Sequence, residues 1–351
     1  MILLREVKPA DIDRLMRLAR RLNTLNLPAD RDRLRAIIAR SQDSFGERLS
    51  SIKDREYVFV MIDPEVDRLI GSCMIIAQHG TYERPSVYFD VRREQTYSTT
   101  LDRHFVHQIL QLTFDYDGPT EIGGLILDPA YRGHTYKLGK LLSFVRFLYM
   151  GMHREWFRQE VVAELLPPLN PDGSSLLWDA IGYNFTGLDY MTADKISREN
   201  IEFVRSLFPS SPIYTAMLPE HVRALIGQVG TQTRPVEKML QSIGFRYNDK
   251  IDPFDGGPTL AARADQCAPI IRTQRLTHAG ALPDDQEAEG YALIGFEYDD
   301  HEVRFRAAFV EYAHTLDGAL IRGVALDKLQ LQPGDTIGFL PLTGGGLSAL
   351  Y

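Results

Sequence analysis

Two cysteines in 351 residues, Cys73 and Cys267, are too few and too far apart for a disulfide framework or a cysteine-type zinc site. That scarcity suits a reducing cytoplasm. Long apolar runs are missing too: the best, Leu141 to Met152, is interrupted by Arg146 and falls short of the roughly 18 residues a membrane span needs. The start, Met1-Ile-Leu-Leu-Arg5-Glu6, meets charge too early for a secretion signal. We therefore expect a soluble, cytoplasmic chain with no membrane partner. Positive charge is in deficit: 39 Lys plus Arg against 47 Asp plus Glu give a net charge of -8. That balance opposes binding to phosphate backbones or anionic lipid, so no nucleic acid is expected either. A His-Glu-x-x-His pattern is absent. His104 and His107, three apart on an expected helix, lack a third ligand, so no metal is expected.

What is present is the ordinary make-up of a globular protein, 44% hydrophobic and 25% charged, able to bury a large core. At ~150 residues per domain the length allows two domains, or two and a small module. Ile2 to Val7 reads as a strand, and Pro9-Ala10-Asp11 opens a helix with Ile12, Leu15, Met16, Ala19 and Leu22 at helical spacing. A second helical pattern runs through Leu34, Ile37 and Ile38. Tyr57 to Ile62 and Leu69 to Ala77 flank the turn former Asp63-Pro64-Glu65 and read as a hairpin. Val87 to Val91 reads as a strand, His104 to Leu112 as a helix, and Glu121 to Leu127 as a strand. Asp128-Pro129 ends that strand, and the following turn leads into a long helix with Leu138, Leu141, Leu142, Val145 and Leu148 on one side. Val161 to Leu166 is again β-rich. After about Arg272 come four strand candidates, Tyr291 to Phe296, Val303 to Phe309, Ala319 to Ala325 and Thr336 to Leu342, which we read as a small β-rich module.

A weak internal echo links Leu177-Trp178-Asp179-Ala180-Ile181-Gly182-Tyr183 with Met239-Leu240-Gln241-Ser242-Ile243-Gly244-Phe245, each a short helix ending in Ile-Gly-aromatic. Glycine there suits a left-handed C-cap, with the aromatic starting an edge strand. The echo suggests a duplicated α/β fold.

The unit with most chemical content is Leu125-Ile126-Leu127-Asp128-Pro129-Ala130-Tyr131-Arg132-Gly133 running into a helix. A helix N-terminus offers free N–H groups and a positive dipole end, which suits a pyrophosphate. This strand and turn resemble the acyl-CoA motif of the GCN5-related N-acetyltransferase superfamily. That resemblance assigns Leu125, Leu127, Arg132, Gly133, Tyr136, Lys137 and Gly139 to an acyl-CoA. The pattern places small residues where Thr135 and Lys137 stand here, so Lys137 would supply a cationic contact instead.

A narrower resemblance spans nearly the whole chain. Ile226-Gly227-Gln228-Val229-Gly230-Thr231-Gln232-Thr233-Arg234-Pro235, Ile243-Gly244-Phe245-Arg246-Tyr247 and Ile251-Asp252-Pro253-Phe254-Asp255-Gly256-Gly257-Pro258-Thr259-Leu260 are similar to the arginine N-succinyltransferase family. Supporting strings are Tyr57-Val58-Phe59-Val60, Val161-Val162-Ala163-Glu164 and Pro212-Ile213-Tyr214-Thr215. The resemblance implies succinyl transfer from succinyl-CoA, a co-substrate and not a bound cofactor, to the α-amino group of L-arginine in arginine catabolism. It implies tandem acyltransferase-like α/β halves with a small C-terminal β-rich module, placed at residues 1–190, 191–270 and 271–351. A homo- or hetero-oligomeric assembly stays open.

Two departures matter. The family carries a histidine, its proton donor, where this chain has Gly230. It also has a glycine-rich stretch where this chain reads Leu22-Asn23-Thr24-Leu25-Asn26-Leu27-Pro28. These leave open another acceptor amine such as ornithine, or a non-catalytic binding homologue. Among the remaining groups Glu164 is a candidate base for the amine and Tyr214 a candidate donor to the thiolate. Asp255 suits a guanidinium through bidentate pairing, and Gln228 and Gln232 beside Gly230 are assigned with it to the acceptor.

Overall fold

The computed structural model describes residues 2–22, 29–299 and 302–342. The Leu22–Pro28 stretch beyond its first residue and the Gly344-Gly345-Gly346 tail lie outside these. Along the chain run β1 (Leu3–Glu6), α1 (Ile12–Leu22), α2 (Arg31–Phe45), β2 (Glu56–Asp63), β3 (Arg68–Ile76), β4 (Ser86–Ser98), β5 (Arg103–Asp115) and β6 (Thr120–Leu127). Then come α3 (Leu138–Met152), β7 (Glu160–Glu164), α4 (Leu176–Ala180), α5 (Gly182–Thr186), α6 (Tyr190–Ser197), α7 (Glu202–Leu207), β8 (Ile213–Tyr214), α8 (Glu220–Arg223), α9 (Arg234–Ser242), β9 (Arg246–Ile251) and β10 (Pro258–Arg263). The chain ends through α10 (Ala268–Arg272), β11 (Gln274–Leu282), β12 (Gly290–Glu297), β13 (Phe305–Thr315), β14 (Gly318–Arg322), α11 (Val324–Leu329) and β15 (Thr336–Pro341). No helix among the described residues is long and apolar enough to cross a membrane.

Two compact units divide the chain, interleaved in sequence. The first holds Met1–Gln78, Thr120–Gln159 and Ala264–Tyr351; the second holds His79–Pro119 and Glu160–Arg263. Their limits differ from the expected boundaries at 190 and 270, because pairing and not chain order decides which segments share a core.

In the first unit β1 pairs with β2, β2 with β3 and β3 with β6, all antiparallel. Val58 and Val60 of β2 pack with Leu15 of α1 and Leu34 of α2 in one buried cluster. Alternation along the strand sends Tyr57 and Phe59 to the other face, where they meet Tyr149 of α3 at ring distances of 5.0 and 5.5 Å. The C-terminal strands close a ring, with β12 paired to β13 and β15, β15 to β11, β11 to β14 and β14 to β13. This ring does not stand alone. Arg306, Ala307 and Ala308 of β13 pair with Arg5, Leu4 and Leu3 of β1, so the sheet runs on from the first residues of the chain into the last.

In the second unit β7 pairs with β10, β10 with β9, β9 with β4, β4 with β5 and β5 with β8, all antiparallel. Short helices cover it through Trp178, Tyr190, Phe208 and Phe254, with Trp178 and Phe254 stacked at 4.8 Å.

Three expectations change. The helix expected at His104 to Leu112 is strand β5, paired residue for residue with β4. His104 and His107, three apart on a strand, therefore point to opposite faces. The echo also breaks: Gly244 takes φ +115° before β9, as a C-cap glycine does, whereas Gly182 opens a second helix, α5. Finally, β11 was not anticipated.

Candidate active site

In the first unit, Leu125 and Leu127, two of the residues expected to meet an acyl-CoA, sit on a strand, β6, that is irregular. Ser72 faces Ile126 and Met74 faces Gly123, so Gly124 and Leu125 together oppose Cys73 alone. That is a β-bulge, and Gly124 at φ +57° takes the left-handed conformation such a bulge asks of its first residue. A bulge unpairs and re-aims the residue that follows, here Leu125. The carbonyl of Gly123, just before the bulge, accepts from Nη1 of Arg146 at 3.2 Å. Arg146 is buried on α3, and its other donors go to the Ser143 carbonyl and hydroxyl. The charge that interrupts the apolar run is thus a support for the bulged strand.

The turn after β6 has a fixed base and an open rim. Asp128 is buried, caps the turn through Ala130 N and accepts from Arg68 at 2.6 Å. Tyr131 donates to Asp63 at 2.8 Å. From there Arg132, Gly133, Tyr136 and Lys137 are exposed, Gly139 is half-buried and α3 begins. The first turn of a helix leaves N–H groups without partners in the helix. Lys137 caps it with φ 47° and ψ 55°, a left-handed backbone that costs a residue with a Cβ about 1–2 kcal/mol. The resembling pattern has a small residue at this place, and the backbone accounts for it.

In the second unit three segments meet, each carrying one of the strings quoted for the resemblance. Leu165 N donates to Pro258 O at 3.0 Å, Gly230 N to Leu166 O at 2.9 Å, and Gly227 N to Gly256 O at 3.1 Å. Glycine is required at the crossings. A Cβ on Gly230 would lie 2.8 Å from the Pro167 carbonyl oxygen and 3.1 Å from that of Leu166, and Gly227 and Gly256 have φ of +70° and +82°. Gly230 itself is not in a left-handed conformation; close backbone approach excludes a side chain there.

Beside this crossing lies a carboxylate group. Asp252 Oδ1 accepts from Phe254 N at 2.7 Å and Asp255 N at 3.0 Å, and Asp255 Oδ1 accepts from Gly257 N at 2.7 Å. Burial, reinforced by the charge of Glu164, pushes the Asp252 carboxyl up to about 7. Burial and the charge of Asp252 also hold the Asp255 carboxyl well above its ordinary range. Glu164 is exposed at the end of β7, opposite Thr259. Gln228 and Gln232 are exposed on the loop around Gly230. Tyr214 belongs elsewhere: its hydroxyl donates to Glu94 at 2.6 Å and its ring packs on His107. Asp252 was missed, although it stands in the same string as Asp255; the signal was two acids three residues apart around a turn.

The sequence profile described as arginine N-succinyltransferase beta subunit matches residues 2–269. The chain is 31% identical over 340 residues to arginine N-succinyltransferase of Enterobacter sp. (strain 638) and 33% identical over 340 residues to that of Salmonella arizonae, covering 96% of each chain in both comparisons. Among solved structures it is similar to arginine/ornithine succinyltransferase subunit AI from Pseudomonas aeruginosa, with TM-score 0.83 and 26% identity, over 98% of this chain and 99% of that one.

Two outcomes follow from the backbone. Lys137→Gly should raise unfolding stability by about 1 kcal/mol while weakening CoA binding about tenfold, if the ammonium contacts phosphate; chemical denaturation and calorimetry measure the two separately. Gly230→His should lower stability by roughly 1–3 kcal/mol through overpacking and leave turnover no higher, read from a denaturation midpoint and a thiol-release assay.

Proposed function

The chain belongs to the arginine N-succinyltransferase family, and we infer that it transfers a succinyl group from succinyl-CoA to the α-amino group of L-arginine, the opening reaction of arginine catabolism. The observation that carries the residue assignment is the Gly124–Leu125 bulge leading through the 128–137 turn into α3. Leu125 and Leu127 would receive the pantetheine arm along the strand. Arg132, Gly133, Tyr136, Lys137 and Gly139 would surround the pyrophosphate, with charge from Arg132 and Lys137. On this reading β1 to β3 with β6 and α3 form one acyltransferase-like half, extended by the C-terminal β-rich strands, and the second unit is the other half.

The chemistry needs a neutral amine to attack the thioester carbonyl, after which the C–S bond breaks and the thiolate takes a proton. Asp252, held near neutrality, is better poised than the exposed Glu164 to accept the ammonium proton. Glu164 then acts on Asp252 by its charge. Asp255 would pair with the guanidinium, with Gln228 and Gln232 at the rim of the acceptor site. Tyr214, engaged by Glu94, is the weaker choice for the thiolate.

Ornithine is a second reading of the acceptor, favoured because a similar solved protein is described as an arginine/ornithine succinyltransferase subunit. Release of free thiol from succinyl-CoA and from acetyl-CoA across arginine, ornithine and lysine decides the matter. Arginine with succinyl-CoA should give the highest kcat/KM; an ornithine preference would transfer the assignment, and no release with any amine would leave a binding protein.

The acid pair gives a pH test. A carboxyl whose pKa is raised by folding adds stability that is complete below about pH 4 and is lost as pH rises through the folded value. Asp252→Asn should therefore gain stability relative to wild type as pH rises from about 4 through 7. Saturating arginine should narrow that difference, because its cation compensates the carboxylates; melting temperatures across pH, with and without arginine, read both effects.

A further inference from the structure

Strand alternation leaves a cavity in the first unit where the C-terminal ring meets the end of β2 and the start of α3. Tyr57 and Phe59 turn towards α3, so Met61 and Asp63, further along β2, turn the same way and line it. On the wall from the ring, Tyr291 of β12 pairs with Glu311 of β13, and Phe309 lies two residues from Glu311 on the same face. The turn before α3 closes one side with Tyr131 and Tyr136, the ring of Tyr136 lying 5.5 Å from that of Phe309. The cavity so enclosed measures about 460 Å³, within the ~300–1,000 Å³ of small-molecule pockets.

Its lining has two characters. The floor is apolar: Leu4, Leu138 and Leu141 are buried, and the half-buried rings of Tyr291 and Phe309 are stacked at 5.1 Å. The rim is acidic, with Asp63, Glu65 and Glu311 set against the single guanidinium of Arg322. The donors of that guanidinium are already engaged. Nε donates to Glu311 at 2.9 Å, Nη1 to the Pro283 carbonyl at 2.5 Å and Nη2 to the Gln286 carbonyl at 3.2 Å. A neighbouring cavity shares Tyr291, Glu311 and Arg322 and adds Asp284, Asp285 and Glu287. A ligand therefore approaches through negative potential.

Each feature narrows the occupant. An anion would meet the carboxylates and find the donors of Arg322 taken. No group of three or more acids, histidines or cysteines among the described residues could hold a metal ion, so the charge calls for an organic cation. Tyrosine and phenylalanine rings attract the same charge within about 6 Å. The apolar floor calls for a body without polar groups, since those would lose water there without a partner.

We infer that this cavity is a binding site for a small organic cation with a flat apolar body, of the arylalkylamine class. The ligand ring lies against Tyr291 and Phe309, and its ammonium meets Glu311 and Asp63. Asp63 already accepts from Glu65 N at 3.1 Å on one oxygen and from the Tyr131 hydroxyl at 2.8 Å on the other, and each carboxylate oxygen has room for a second donor. The site does not rest on what the 128–137 turn binds. Tyr136 serves it through its ring, and the acyl-CoA assignment stands or falls by its own thiol-release assay.

Calorimetric titration of the full chain with tryptamine, and separately with indole-3-acetate, tests the inference. Tryptamine should bind with a dissociation constant of ~0.1 mM or tighter. Indole-3-acetate, with the same ring and the opposite charge, should bind at least about tenfold more weakly. Glu311→Gln, which keeps the shape and removes the charge, should weaken tryptamine binding about tenfold with an unchanged far-ultraviolet spectrum. If that variant fails to fold, Tyr291→Ala decides by the same loss. No saturable heat from tryptamine up to ~5 mM overturns the site. Equal affinity for the two probes overturns the cation, and wild-type affinity in the folded variant puts the tryptamine elsewhere and overturns the site as well.

Discussion

A guanidinium buried under a strand is the contact on which the first unit's site depends. Arg146 is 2% exposed, and its partners among the described residues are two carbonyls and a hydroxyl, with no carboxylate. Burial pulls its pKa below the ordinary arginine value, and burying such a charge costs several kcal/mol. An apolar residue of equal length would fill the same space without that cost. What it could not do is donate to the carbonyl of Gly123, just before the bulge at Gly124–Leu125. The stability lost to burial goes with a donor to a strand of irregular shape, whose extra residues are Gly124 and Leu125.

The second unit uses the absence of side chains in the same way that the first uses a charge. Gly230, Gly256 and Gly257 let the loop after α8 and the turn before β10 lie directly on the chain that continues β7. A histidine at 230 would have to displace the carbonyls of Leu166 and Pro167. The backbone at Gly230 leaves no room for a side chain. On the reading proposed above the proton travels by other groups, and Asp252, whose own hydrogen bonds fix the turn, is the candidate.

Much of this was legible in the sequence, and the exceptions share a cause. The hairpin around Asp63-Pro64-Glu65, strand β6, its turn and α3 follow from local patterning, because each buries a face that its own sequence marks out. His104 to Leu112 misled because Val106, Ile109 and Leu110 fit helical spacing as well as they fit a strand; the choice is made by β4, which lies outside any local window. The interleaved units were illegible for the same reason. Nothing near residues 305–308 announces that they pair with residues 3–5. At the site, the strings around Gly230 and Asp255 were readable as a resemblance. Which glycine was held by φ and which by contact, and that Lys137 sits in a left-handed backbone, needed the coordinates. Asp252 was passed over because an acid before proline reads as a turn former, and only its place beside the buried Asp255 makes it chemical.

The acid pair also explains why recognition and acid–base chemistry are one problem in the second unit. Burial and then the charges of Glu164 and Asp194 raise the Asp252 carboxyl, and burial and then the charges of Asp252 and Asp194 raise that of Asp255. Two neighbouring carboxylates, Asp255 buried and Asp252 half-buried, cannot both carry charge at low cost unless a proton or a cation is shared between them. A guanidinium is such a cation, and its planar donors match a carboxylate in a way that a terminal amine does not. Arrival of the acceptor would then ionise the pair, because the positive charge replaces the shared proton. On the reading proposed here, the ionised Asp252 is the form that can take a proton from the α-ammonium. On that reading the cation that the site selects is also the agent that readies its base, and an acceptor lacking a second positive group would bind without completing that step.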